Sequence, residues 1–371
     1  MSKKVKKKIF YIILVSGITL LTVVGSEIVI RLLSVLKLES ATLVYDPLID
    51  WRMRPHTRPY PSLSKTNSFG FNDYEHNYSK AKGNNYRVAF VGDSFTFGVY
   101  DYEKNFPFIV QDLGRQNGLN LESINFGVPG SSPKQYLKMV NTYVRKAKPN
   151  LVIVTLFIGN DIYQSDPNLQ TQLWLGSVGS IPKLTHIGFD KESFALYTVL
   201  RSLYRYRLHK YFAEDENVEG FHEQVRLNLE YQYHDIFRKQ LPEKVKRQFL
   251  NLQKILKKIS YFIESFEGDL LVVLAPSEIQ INDELRKNFL SKYSIHPSNL
   301  NISQPQQIII QYLNNLNIKY IDLLPAFLEE GEKKILYAPG DTHFNEDGNY
   351  LAAEIIFNTI NALYNNSVSI P

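Results

Sequence analysis

The chain has 371 residues, carries 42 Lys and Arg against 37 Asp and Glu, and contains no cysteine. That length suits one large domain with additions or two domains, and the missing cysteine excludes disulfides, thiolate metal sites and a cysteine nucleophile. The net charge of +5 sits in residues 1–40, where Lys3, Lys4, Lys6, Lys7, Lys8, Arg31 and Lys37 face only Glu27 and Glu39, so the remainder is neutral overall and gives no reason to expect a nucleic-acid partner.

Ile9 to Ser26 runs for 18 residues without a charge. Such a run can cross a hydrocarbon core with a little tilt. Lysines before it and few cations just after it place the N-terminus in the cytoplasm and the chain beyond residue 36 on the periplasmic or extracellular side. The competing reading is a cleaved signal peptide, against which stand the length of the run and the weakness of Val24-Gly25-Ser26 as a cleavage site. A buried soluble helix is the third reading, and the run is apolar on nearly all faces. Residues 1–36 are therefore expected to be a cytoplasmic tail and transmembrane anchor. Residues 37–85 contain Trp51, Pro55, Pro59, Pro61 and Asn67-Ser68-Phe69-Gly70-Phe71-Asn72-Asp73. They are too aromatic for a disordered linker and are expected to form an ordered connecting arm.

Residues 86–371 show alternating elements. Arg87–Val91 reads as a strand that stops at Gly92-Asp93-Ser94, and a helix is expected from Asn105 to about Gln116. Leu121–Asn125 is a second strand, followed by Gly127-Val128-Pro129-Gly130. Ser132–Ala147 has apolar residues at helical spacing. Leu151–Phe157 is a third strand and leads into Gly159-Asn160-Asp161. Residues 162–245 break the pattern with Trp174, a Gly/Ser patch at 176–180, an aromatic and basic run at 194–212 and an acidic run at 214–219; they read as an insertion over the carboxyl edge of the sheet. Helices at Phe249–Phe266, Pro305–Leu316 and Glu346–Tyr364 and strands at Leu270–Ala275 and Tyr320–Leu323 complete the pattern. Strands that are apolar on both faces and alternate with helices imply an α/β fold: a three-layer sandwich around a mostly parallel five-stranded sheet.

A strand that ends in Gly-Asp-Ser lifts a small polar side chain to the edge where open α/β folds hold ligands. The alternative is that Asp93 and Ser94 only cap the next helix. Three further signals converge on the same edge: Gly130, Asn160 and, before the last helix, Asp341-Thr342-His343. Acyl transfer needs a nucleophile, a base, a group that orients the base and donors aimed at an oxyanion. Ser94 suits the first role, His343 the second and Asp341 the third. The backbone N–H groups of Ser94 and Gly130 and the side-chain amide of Asn160 suit the oxyanion hole. The eight histidines are scattered, and neither metal nor cofactor is expected.

These blocks resemble those of the SGNH (GDSL-type) hydrolases over about residues 86–365, apart from the insertion. The resemblance implies a three-layer α/β sandwich with Ser94 as nucleophile, Gly130 and Asn160 as oxyanion residues, and Asp341 and His343 as the last block. Many members carry Asp-x-x-His, whereas this chain has Asp-Thr-His, a spacing similar to that of polysaccharide O-acetyltransferases such as the alginate acetylation proteins. In an extended segment that spacing puts both side chains on one face. The resemblance implies a membrane-anchored esterase of the cell envelope acting on an acyl ester or acylated glycan. An O-acyltransferase that modifies a cell-surface polysaccharide and a non-catalytic glycan-binding module remain open alternatives.

Overall fold

The computed structural model describes residues 2–36, 43–59, 64–76, 85–166, 227–228, 230–339 and 341–368. Trp174 and the expected Gly/Ser, aromatic and acidic runs between 176 and 219 lie outside them. Residues 45–166 and 227–368 belong to one compact unit, and the first helix belongs to another.

That helix, α1, spans Lys3–Leu36. Among the described residues it is the one helix long and apolar enough to cross a membrane, over Lys3–Val29. Thr19 and Thr22 each donate a hydroxyl to the carbonyl four residues earlier, at 2.9 Å, so neither needs water.

β1 (Leu43–Asp46) and β2 (Asp50–Met53) form a two-stranded sheet. The central sheet comprises β3 (Tyr86–Gly92), β4 (Leu121–Gly127), β5 (Leu151–Phe157), β6 (Asp269–Ala275) and β7 (Lys319–Asp322), all parallel, in the order β4-β3-β5-β6-β7. Parallel strands need crossover connections, and helices supply them on both faces. Val88, Phe90, Leu151, Ile153, Leu271 and Val273 project to one face. There they meet α3 (Phe106–Gln116), α10 (Leu324–Gly331) and α11 (Glu346–Val368) through Phe106, Val110, Phe327, Ile356 and Ile360. Ala89, Val91, Val152, Val154, Val272 and Leu274 alternate to the other face and are equally buried. That face carries α4 (Pro133–Met139) and α6 (Glu243–Glu264). The architecture is the expected three-layer sandwich.

Several local differences have physical causes. The helix expected over Ser132–Ala147 is present, but its ladder widens to a π turn at Val140–Val144. Helix α6 begins at Glu243, inside the stretch read as insertion, because Pro242 can precede a helix but not continue one. Helices α7 (Glu278–Ile281), α8 (Asp283–Lys292) and α10 were not anticipated; α7 and α10 are short, and α8 buries only Leu285 and Phe289. Nor was the β1–β2 hairpin, whose four-residue strands give periodicity little room to register. Three further helices are α2 (Ser94–Phe97), α5 (Asp161–Gln164) and α9 (Gln304–Asn315).

A buried ionic chain ties the arm to the sheet edge. His76 Nε2 lies 3.0 Å from Asp73 Oδ2 and its Nδ1 3.5 Å from Glu122, which Arg87 meets at 2.9 Å. Asp73 Oδ2 also accepts the Asn125 N–H of β4 at 2.7 Å. Burial alone would push the imidazole down, but the two carboxylates outweigh it and raise it from its ordinary 6.5 to about 9. Glu122 drops to about 2, first through its bond with His76 and then, against the cost of burial, through Arg87. A raised histidine stabilises the fold fully below its unfolded value and loses that contribution as pH rises through about 9. His76→Gln should therefore lower unfolding free energy by on the order of 2–3 kcal/mol at about pH 6 and by little at about pH 10. Denaturant titrations at the two pH values check this; an equal loss at both would show that the charge is not what stabilises.

Candidate active site

The chain crosses from one side of the sheet to the other at β3, which has β4 on one flank and β5 on the other. This is the topological switch point, where the carboxyl ends of open α/β sheets form a crevice. Ser94, Gly130 and Asn160 follow the ends of these three strands.

The turn after β3 is tight. Asp93 caps α2 by accepting the Phe95 N–H at 2.9 Å, and Ser94 is the first helical residue. Asp93 is the cap, and Ser94, the residue after it, is half-buried. The α2 backbone rests directly on Gly127, where a Cβ would stand 2.2 Å from the Phe97 nitrogen. Any larger residue would push the serine turn off the β4 end. Gly130 adopts φ +72°, the left-handed region that favours glycine, and no atom approaches within 4 Å of where its Cβ would be.

His343 comes from the far end of the chain. Residues 336–345 fold back on themselves: Ala338 N–H donates to His343 O at 2.9 Å, Asp341 N–H to Ala338 O at 3.0 Å, and Asn345 N–H to Leu336 O at 3.0 Å. Asn345 then caps α11 by accepting the Gly348 N–H at 2.9 Å. The imidazole leans on Phe95, ring centroids 5.0 Å apart, and Phe95 in turn stacks on Phe157 at 3.9 Å and meets Phe344 edge-on at 5.0 Å.

The three side chains meet. His343 Nε2 is 2.8 Å from Ser94 Oγ, and His343 Nδ1 is 2.5 Å from Asp341 Oδ1. The tautomer that satisfies both contacts carries its proton on Nδ1 and accepts the serine proton at Nε2. Residues 341–343 form a bend rather than the expected extended segment. Asp341 Oδ1 also accepts the His343 backbone N–H at 3.1 Å, so one carboxylate oxygen fixes both the turn and the ring. Burial pushes the Asp341 carboxyl up, but the hydrogen bond and charge of His343 outweigh it and leave the group below its ordinary value.

Among the described residues, neither the Ser94 N–H nor the Gly130 N–H is spent on a hydrogen bond. Asn160 Nδ2 makes a long contact, 3.4 Å, with Asp93 Oδ2, and its Oδ1 is buried without a partner among the described residues. Asp161, beside it, is buried. It accepts the Phe157 N–H at 2.8 Å and the Tyr136 hydroxyl at 2.9 Å. Burial pushes the Asp93 carboxyl up and the Asp161 carboxyl further, with the charge of Asp93 adding to the latter. Asp161 thus anchors the Asn160 turn from below.

Two contacts come from the arm and carried no signal in the sequence. Trp51 Nε1 donates to Pro129 O, next to Gly130, at 3.2 Å across 78 residues of chain. Asn72 Nδ2 donates to Phe97 O at 2.9 Å and to Tyr100 O at 3.1 Å.

No protein-family model and no curated protein matches the chain. Solved structures similar to it include an acetyl xylan esterase at 17% identity, covering 74% of this chain and 99% of that one with a TM-score of 0.41. A catalytic mutant of an acetylxylan esterase from Geobacillus stearothermophilus has 14% identity, 76% and 96% coverage and a TM-score of 0.41. A lipase/acylhydrolase from Enterococcus faecalis has 15% identity, 74% and 95% coverage and a TM-score of 0.41.

Proposed function

We propose that the chain is a membrane-anchored SGNH-type serine esterase of the cell envelope. The observation that supports this most is the relay from Ser94 Oγ through His343 Nε2, at 2.8 Å, to Asp341, at the mouth of the switch-point crevice. Residues 1–36 serve as tail and anchor, 37–85 as arm, and 86–371 as the catalytic domain with its insertion at about 162–245.

In the proposed reaction Ser94 Oγ attacks the ester carbonyl while His343 Nε2 takes the serine proton. Asp341 holds the imidazole in the working tautomer and stabilises its positive charge. The carbonyl oxygen becomes an oxyanion met by the N–H groups of Ser94 and Gly130 and the amide of Asn160. Collapse breaks the ester C–O bond, and His343 returns its proton to the leaving alkoxide. Water, activated by the same histidine, then attacks the acyl-Ser94 ester and releases the acid.

The Asp341-Thr342-His343 spacing, similar to that of O-acetyltransferases, supports a second reading in which a sugar hydroxyl replaces water in the last step. Full-length protein in detergent, supplied with an activated acetyl ester, separates the two. Acetate release at the same rate with or without a glycan acceptor is the expected result for an esterase. Faster turnover together with acetylated glycan would move the assignment to transfer. In intact cells, a serine-directed fluorophosphonate that cannot cross membranes should label Ser94; labelling only after lysis would contradict the proposed sidedness.

A further inference from the structure

The proposed oxyanion hole draws its backbone donors from two separate turns, one after β3 and one after β4. The two turns are joined at their bases, where the Val128 N–H reaches Gly92 O at 3.0 Å, but the Gly130 tip lies beyond that junction. Ser131 secures the base of the second turn, its hydroxyl donating to Val128 O at 2.7 Å and Gly92 O at 3.1 Å. The tip at Pro129 and Gly130 has open space around it, and Trp51 is the side chain that holds it. The first turn ends in Phe97, whose carbonyl receives the amide of Asn72 at 2.9 Å, with Asn105 and Asn125 more distant at 3.3 and 3.4 Å.

Trp51 and Asn72 both belong to the arm, and its two described parts are cross-linked by hydrogen bonds. Asp46 Oδ2 accepts from Arg52 Nε at 2.9 Å and from the Tyr143 hydroxyl at 2.6 Å, while Oδ1 takes the Leu48 and Ile49 N–H groups. Asp50, at φ +76°, is held in that left-handed conformation by Lys138 at 2.7 Å and Gln135 at 2.9 Å. Arg52 then crosses to the second half of the arm, donating to Phe69 O at 2.8 Å. Gly70 packs so closely that a Cβ there would lie 1.9 Å from Met53 O. Asn67 Oδ1 closes the following turn by accepting the N–H groups of Phe69 and Phe71, both at 3.0 Å. Trp51 and Asn72 are 5% and 2% exposed, so both donors act without competition from water.

We infer that residues 45–59 and 64–76 are a positioning clamp for the oxyanion hole, with Trp51 setting the Gly130 turn and Asn72 setting the Ser94 turn, an inference that rests on the esterase reading above. Neither residue touches substrate. Trp51 acts through Pro129 O, on the peptide that carries the Gly130 N–H, and Asn72 through Phe97 O at the far end of the one-turn helix that Ser94 begins. Oxyanion donors contribute when they are already aimed at the developing charge, and small misplacements are costly. The clamp makes the stretch that follows the apolar helix a working part of the site rather than a spacer.

The test uses the full-length protein in detergent with 4-nitrophenyl acetate as probe. Trp51→Phe keeps an aromatic ring in place and removes the N–H donor together with the pyrrole half of the indole. It should lower kcat about 10-fold with KM within about twofold, because the loss falls on the transition state rather than on substrate binding. The midpoint of the kcat/KM pH profile should not move, since the Ser94–His343–Asp341 contacts are untouched. Asn72→Ser should act the same way through the other turn and provides the test if the tryptophan variant folds poorly. Lys246→Ala, which removes an exposed bond to Glu243 at the start of α6, outside the clamp and the site, should leave kcat within about twofold. A lower melting temperature with unchanged kcat in both Trp51→Phe and Asn72→Ser would overturn the clamp and leave the arm a structural support. Absence of turnover in the unmodified protein would instead overturn the esterase reading, and the clamp with it.

Discussion

Ser94→Ala is expected to reduce turnover of an acyl ester by about 10⁴- to 10⁶-fold and leave folding stability within about 0.5 kcal/mol. The side chain is half-buried and its recorded side-chain bond is the one to His343 Nε2, so its removal leaves no buried polar group stranded. The small stability cost matters as much as the large kinetic one. Gly127 and Asp93 build the turn whether or not residue 94 carries a hydroxyl. A variant that loses activity with an unchanged denaturation midpoint has lost chemistry rather than structure. His343→Ala should cost a similar factor, and the double variant little more than either single one, because the two residues act as a unit. Comparing the three variants by kcat and by denaturant midpoint checks both points; additive losses would mean that the serine and histidine work in separate steps.

Asp341→Asn should lower kcat by about 10³-fold, less than the roughly 10⁴-fold typical of a fully buried triad aspartate. Two geometric facts set the direction. The backbone N–H and the ring Nδ1 of His343 both bond the same carboxylate oxygen, which an Asn side chain can also supply, so the variant loses chiefly the negative charge beside the imidazolium. The group is also 45% exposed, so water can partly replace it. Its depressed pKa keeps it ionised to pH values below the ordinary aspartate range. A depressed carboxyl contributes to stability above its unfolded value and loses that contribution as pH falls through the folded one. The acid limb of a wild-type pH profile should therefore not follow Asp341. Steady-state kinetics of the variant decide this; a loss under about tenfold would mean that another group orients His343.

Strands β3, β4 and β5 were legible because each is seven residues long, largely apolar and closed by glycine or asparagine at or just after its carboxyl end. The same punctuation marked Ser94, Gly130 and Asn160. Asp341 and His343 were legible as a pair two residues apart, although the segment bends where extension was expected, because one carboxylate oxygen captures both N–H groups. Gly127 read only as one of two turn glycines; its close approach to the Phe97 backbone depends on a strand pairing, Gly92 beside Gly127, that composition does not reveal. The arm was least legible. Its strands are four residues long, and its contacts with the site span 78 residues from Trp51 to Pro129 and 25 from Asn72 to Phe97. Hydrophobic periodicity reports which face of an element is buried, not which distant carbonyl a buried indole will meet.

The central claim is that Ser94 accepts an acyl group. Mixing the full-length protein with 4-nitrophenyl acetate, quenching in acid before the first turnover is complete and mapping the modified peptide by mass tests it directly. The account predicts one acetyl group on Ser94, absent from Ser94→Ala and accumulating in proportion to the released nitrophenolate burst. Turnover with Ser94 unmodified, or with the acetyl group on another residue, would contradict it.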